Sequence, residues 1–229
     1  MNQTEVTAPS TRWLLAGGVI GPVLFVLVFL VEGATRPGYS AWRNFVSQLS
    51  LSDQGWEQVA NFLICGVLCL GFAIGLRRIL RSGKGSIGGP ILLGIFGLSL
   101  ISAGIFVTGP GLGYPPGAPV HSQESAHAVI HALSGLLAFI SLAAACFVLA
   151  RRFAGDPIWR GWAPYSAVSG AIVAGFFVAS VSPGVPAGLL QRIAIIAGWA
   201  WIAALAWRLL RSPRAAVAAD VRPMRRVAG

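Results

Sequence analysis

Four residues of one short segment carry the densest potential for chemistry in this chain: His121, Glu124, His127 and His131. On a helix, His127 and His131 lie one turn apart and point to the same side. Two histidines so placed can chelate zinc or another divalent transition metal, with Glu124 or His121 as third ligand and water in the open position. Such a centre would activate water against a lipid-like substrate. The run His-Ala-Val-Ile-His, however, has no glutamate between its histidines, so the general base of an HExxH metalloenzyme is missing. A bis-His haem draws its ligands from different helices, and no second intramembrane histidine exists. The competing reading is a pair of hydrogen-bonded structural histidines. Continuing the same face gives Ser134, Ala138, Ser141 and Ala145, a small and polar stripe expected to face a helix-bundle interior.

A second set of candidates flanks the first and last apolar stretches. Arg192 opens the sixth stretch and Glu32 closes the first, on the same side of the chain's topology. An ionisable residue at membrane depth is a functional hypothesis with a partner to be named; for Arg192 that partner is expected to be Glu32 or Glu124. One outcome is an ion pair that locks helix ends, or an arginine snorkelling to the headgroups. The other is that Arg192 and Arg43 hold a lipid phosphate or carboxylate bidentately. Asn44, Ser47 and Tyr114, on the neighbouring loops, complete the ligand-binding candidates. Ser47 would be a nucleophile only if a histidine base reached it; otherwise it is a capping or interfacial hydroxyl. The glycine-rich stretch from Gly83 to Gly89 follows no strand and lacks a Walker pattern, which excludes a phosphate loop.

The elements that must position these residues are six long apolar stretches. They run from Trp13 to Val31, Trp56 to Leu76, Ile87 to Val107, Ala126 to Ala150, Ala163 to Val181 and Leu190 to Leu210. Each has about the 20 residues a helix needs to cross a hydrocarbon core about 30 Å thick. The composition, 55% hydrophobic and 10% charged over 229 residues, leaves almost nothing for a soluble domain. Of the 17 Lys and Arg, all but Arg36, Arg43 and Arg192 fall in the tails or in the second and fourth loops. Short basic loops stay cytoplasmic, so both termini are expected inside, in the cytoplasmic membrane of a bacterium. The net charge of +10 is therefore a topology signal that meets anionic headgroups, not a nucleic-acid footprint. The first stretch is too long for a signal peptide and is expected to be retained. Cys65, Cys69 and Cys146 all lie inside apolar stretches, where small core residues is the better reading than a disulfide framework.

The domain reading is a disordered cytoplasmic tail over 1–11, a six-helix transmembrane domain over 12–210 and a basic cytoplasmic tail over 211–229. In the first outer loop, Trp42, Phe45, Val46 and Leu49 recur at i, i+3, i+4 and i+7, which predicts a short amphipathic helix flat on the outer interface or folded over the bundle mouth. Trp13, Trp42, Trp56, Trp159, Trp162 and Trp207 fall where an aromatic belt would lie. Small residues recur at packing distance: Gly17 with Gly21, Gly71 with Gly75, Ala194 with Gly198, and Ala167, Ala171, Gly175 and Ala179 on the fifth helix. Such faces let helix backbones approach, and one of them could join two copies or a membrane partner.

Three segments together resemble a family. They are Arg36-Pro-Gly-Tyr39 running into Asn44-Phe-Val-Ser47-Gln-Leu49; Phe106-Val-Thr-Gly-Pro110 with Gly113-Tyr-Pro115 and the downstream His127; and Gly188-Leu-Leu-Gln-Arg192. In order and spacing they are similar to the domain-of-unknown-function 998 family of prokaryotic membrane proteins, over roughly Trp13 to Leu210. The resemblance implies a bundle of about six helices and no particular activity. The family pattern often carries an Asp where this chain has Gly109, so chemistry assigned to that carboxylate does not carry over.

The fold expected is an all-α integral membrane bundle of six transmembrane helices with a short interfacial helix in the first outer loop. The function expected first is non-catalytic: an outer-face pocket for membrane lipid, a small hydrophobic ligand or a partner, with no cofactor. The alternative is a metal-dependent, hydrolase-like enzyme acting on a lipid at the outer leaflet through the His/Glu cluster. A transporter comes third, because Pro22 and Pro90 break no helix near the midplane and no charge sits there.

Overall fold

The computed structural model describes residues 8–118 and 125–211. Among them six helices are long and apolar enough to cross a membrane: α1 (Pro9–Thr35), α2 (Trp56–Ile79), α3 (Gly88–Ile105), α4 (Ala126–Phe153), α5 (Trp162–Ser180) and α6 (Ala187–Arg211). The six apolar stretches of the sequence thus become six helices, and the chain is a multi-pass, all-α membrane protein. Several helices run three or four residues past their apolar stretch. α1 gains Pro9 to Arg12, Pro9 standing in the first turn where its missing N–H costs nothing. α4 extends through Arg151 and Arg152 to Phe153, its basic last turn complementing the helix dipole.

Each helix packs on its chain neighbours, and α6 returns to pack on α1, which closes a ring. Glycine sets the tightest approach. A Cβ on Gly66 of α2 would stand 2.8 Å from the Gly97 carbonyl of α3, and a Cβ on Gly97 would stand 2.8 Å from the Gly66 carbonyl. Only two glycines facing each other permit that crossing, which is how packing substitutes for the hydrophobic effect in lipid. Gly17 likewise sits against the Leu68 carbonyl. The small stripe of α5 behaves differently: Ala171 and Gly175 are exposed, and a Cβ on Gly175 would meet nothing within 4 Å. α5 packs instead through Ser166, Ser169, Gly170 and Val173, all buried.

Aromatic side chains fill the axis of the ring. Trp199 of α6 stacks on Phe25 of α1 at 5.0 Å and meets Phe96 of α3 edge-on at 5.2 Å, and Phe25 meets Phe62 at 5.5 Å. Trp201, fully buried, donates its indole N–H to the Ser166 hydroxyl at 2.9 Å. Cys65, Cys69 and Cys146 are buried free thiols, serving as small core residues. Of the expected belt tryptophans, Trp13, Trp42, Trp56 and Trp207 are exposed. Trp159 is buried, stacked on Phe153 at 4.3 Å with the Arg208 guanidinium 4.6 Å above its ring.

Candidate functional site

The end of the ring that carries the loops after α1, α3 and α5 is sealed by polar contacts between those loops. Asn44 and Gln48, both buried, aim their amides across to the loop after α3. Asn44 Nδ2 donates to the Leu112 carbonyl at 3.0 Å, and Gln48 Nε2 to the Gly111 carbonyl at 2.5 Å. Gln48 Oε1 accepts from the Phe45 N–H at 3.0 Å, closing the first turn of a short 3-10 helix over Val46–Ser50. Tyr39 and Tyr114 meet edge-to-face at 5.2 Å between the two loops, and Pro116 fills the space beside Gly38, whose φ of +75° suits glycine. The amphipathic helix expected from Trp42 to Leu49 is thus a turn followed by one short 3-10 segment. It folds over the bundle mouth, with Val46 and Leu49 in the core and Trp42 exposed. Two buried amides committed to carbonyls of a distant loop outweigh the local helical period.

Arg192 fastens this cover to α6. Its Nη1 donates to the carbonyls of Ala41, Asn44 and Gly188 at 2.8, 2.9 and 2.9 Å, and its Nη2 donates to the Tyr39 hydroxyl. The guanidinium also lies 5.8 Å from the Phe29 ring and 5.4 Å from the Tyr39 ring. Gly188 makes the approach possible, because a Cβ there would stand 2.4 Å from the Asn44 carbonyl. Burial pushes the Tyr39 phenol up to about 12, against the lowering pull of the Arg192 charge and hydrogen bond. Of the two expected partners of Arg192, Glu32 does not pair with it and Glu124 lies outside the described residues. A buried guanidinium satisfied by three carbonyls and a phenol has few donors left for a lipid phosphate. Glu32 pairs with Arg36 instead, at 3.7 Å. Arg43 is exposed, while Asn44 and Tyr114 are spent within the cover.

Below the cover, two joined cavities open between α3, α4, α5 and α6. The larger, about 420 Å³, reaches from the loop carbonyls of Gly109 and Gly111 to Leu136, Phe139, Phe177 and Val181. Leu136 and Val181 are 44% and 63% exposed on the outer surface of the ring, so the cavity has a mouth on its lipid-facing flank. The smaller, about 70 Å³, continues inward to Ser99, Phe25, Phe62, Phe96 and Trp199. Ser47, His131, Gly135, Phe139 and Gln191 line both.

His131 stands at the junction, buried, and its Nδ1 lies 3.0 Å from the Ala103 carbonyl and 2.8 Å from the Phe106 carbonyl. Carbonyl oxygens only accept, so Nδ1 carries the proton and Nε2 is left with a lone pair. Deeper in, Ser99 is 2% exposed and its hydroxyl has no hydrogen-bond partner. Beside it Ser102 donates to Ser134 at 2.7 Å, and Ser134 donates to the Ile130 carbonyl at 2.7 Å. Gln191 Oε1 accepts from the Val46 N–H at 2.8 Å, holding the short 3-10 helix over the cavity roof. The site is an apolar hollow with a few fixed polar atoms and, among the described residues, no cationic side chain in its lining.

The stripe below His131 faces inward as its spacing implied: Ser134, Ala138, Ser141 and Ala145 are all buried. His127 is exposed and sits edge-on to Phe106 at 5.4 Å, one turn outside the cavity. His121 and Glu124 lie outside the described residues. Among the described residues no group of three His, Cys, Asp or Glu is placed to hold a metal ion. Ser47 and His131 share a cavity, but no hydrogen bond joins them, so the serine is not activated as it stands. Gln191, Ser99 and Gly135 were not among the sequence candidates. The only signal for them was a pair of serines, Ser99 and Ser102, inside an apolar run and a glutamine beside Arg192. No curated protein and no solved structure matches the chain. The family model described as protein of unknown function DUF998 matches residues 19–208, nearly the whole ring from α1 to α6, and the chain belongs to that family.

Proposed function

We propose that this protein binds a neutral amphiphile, non-catalytically, in the cavity between α4, α5 and α6. The observation that carries the reading is the hollow of about 420 Å³, with loop carbonyls and glutamines at one end and Leu136, Phe139, Phe177 and Val181 at the other. An apolar chain enters through the flank, and its polar head meets His131 Nε2, Gln191 and, in the inner recess, Ser99. An acceptor at His131 and a rotatable hydroxyl at Ser99 favour a head bearing an O–H or amide. The absence of a cation among the described residues of the lining disfavours a phosphate or carboxylate head. The bias of Arg and Lys toward the opposite end supports a site at the outer leaflet of the cytoplasmic membrane, with both termini inside.

Gly135 gives the test. It lines both cavities, and a Cβ there meets nothing within 4 Å, so Gly135→Leu fills the hollow without disturbing the helices. Binding of a diacylglycerol and of a long-chain alcohol is measured on wild type and variant in neutral detergent, with phosphatidic acid as the anionic control. The neutral ligands should bind wild type saturably, the variant at least tenfold more weakly, and phosphatidic acid no better than background. Equal binding by wild type and Gly135→Leu would sink the proposal.

A further inference from the structure

On the opposite flank of the ring, α1 and α2 enclose a second hollow that the first site does not reach. It holds about 460 Å³ and is walled by Leu27, Val31 and Ile64, with Trp56, Glu32 and Glu57 at its loop end. Leu27, Val31, Trp56 and Ile64 are each at least half exposed, so this groove faces the surrounding lipid along its length.

Its loop end is under-neutralised. Glu32 is 4% exposed, and neither carboxylate oxygen has a hydrogen-bond partner. Its one charged contact is Arg36 Nη2 at 3.7 Å. That same nitrogen lies 3.2 Å from Glu57 Oε2 and donates to the Gln54 carbonyl at 3.2 Å, while Nη1 donates to Ser52 Oγ at 3.1 Å. One guanidinium therefore serves two carboxylates, and the closer bond goes to Glu57. A buried carboxylate without hydrogen bonds is costly to keep unless something positive completes it. Asn61, the other polar residue of the wall, has its amide N–H groups turned to the Phe25 carbonyl and Gln58 Oε1, so it does not supply that partner.

We infer that the groove between α1 and α2 binds an amphiphile with an ammonium head, its charge against Glu32 and Glu57 and its chain along the apolar wall. A bare calcium or magnesium ion fits poorly, because it needs about six oxygens and the groove offers two carboxylates in an apolar setting. An alkylammonium needs one or two anionic contacts, and Trp56 at the mouth adds an aromatic face. The same chemistry arises from an aminophospholipid headgroup or from a free amphiphilic amine.

Dodecyltrimethylammonium is the probe, with dodecanol as its uncharged counterpart, each titrated against the full chain in maltoside micelles by native mass spectrometry. One equivalent of the cation should bind saturably, and dodecanol should not compete for that site. Glu32→Gln should weaken binding at least tenfold. Ala60→Trp, which fills the groove beside Glu32, should do the same without touching a charge, so a loss in both cannot come from misfolding of one variant. Gly135→Leu should leave this binding unchanged. Displacement by phosphatidylethanolamine but not phosphatidylglycerol identifies a lipid headgroup as the source, and displacement by neither identifies a free amine. Equal affinity of Glu32→Gln and wild type, or displacement of the cation by dodecanol, overturns the inference.

Discussion

The two ends of the ring use arginine in opposite ways. At the end carrying the termini, Arg208 lies over Trp159 and Trp162 at 4.6 and 5.2 Å, and Arg211 lies 4.2 Å from the Trp207 ring. Arg152 there donates to the Ser82 and Lys84 carbonyls. Arg211 is exposed and Arg152 and Arg208 are half-buried, so these side chains hold loops and helix ends within partial reach of water and headgroups. At the other end Arg36 and Arg192 are 6% exposed each and bond inward. Many exposed cations fix which way a bundle sits, whereas a few buried ones fix what its loops can do. The difference shows why the loop-covered end can hold a stable hollow under its roof.

The sharpest way to break that comparison is Arg192→Met. It leaves three carbonyls and the Tyr39 hydroxyl without their buried donor, and unfolding in detergent should be easier by about 3 kcal/mol or more. Arg192→Lys should recover only part of this, since one ammonium cannot span the same four acceptors. Next is Gly188→Ala, whose Cβ would overlap the Asn44 and Ala41 carbonyls; about 1–3 kcal/mol of stability should go, read as a lower melting temperature and faster proteolysis of the first loop. At the terminal end, Arg208→Ala should cost less, about 1–2 kcal/mol, since its half-buried guanidinium makes one carbonyl bond, to Ile158, beside its aromatic contacts. If Arg208→Ala cost as much as Arg192→Met, the two ends would not differ as described.

A pH titration sharpens the same contrast. The Tyr39 phenol is raised from 10.0 to about 12, so the folded chain keeps a proton that the unfolded chain gives up between those values. Its contribution is whole below about pH 10 and is lost as pH climbs towards 12. Wild type should therefore lose stability more steeply than Tyr39→Phe across that window, and the two should run parallel below it. The smallest effect belongs to Gly175→Ala on the lipid face of α5, where no neighbour is met and melting should move by less than a degree or two.

Much of the ring was legible because hydropathy is a local property. Twenty apolar residues in a row can be read without knowing what they pack against, and the inward stripe from His131 to Ala145 follows from helical spacing alone. The cover was not legible, since Asn44 and Gln48 find their partners near residue 111 and Arg192 finds its own near residue 41. A period of i, i+3, i+4 and i+7 at Trp42 to Leu49 suits a helix, but the polar residues between are what the rest of the chain engages. Arg192 was expected to pair with Glu32 or Glu124; among the described residues a ring of carbonyls serves instead, a partner that no side-chain pattern reveals. The stripe on α5 misled for a related reason, because small residues permit close packing without saying that a neighbour is there.

The clasp at Arg192 also bears on how the chain is made. Its acceptors near Ala41 leave the ribosome about 150 residues before the guanidinium that satisfies them. During that interval the first loop has only its own turns to organise it, and the ring is open between α1 and the missing sixth helix. Contacts so distant along the chain form last and slowly. The roof of the cavity is therefore completed by the insertion of α6, and a nascent chain stopped before Gly188 carries five helices and no closed hollow.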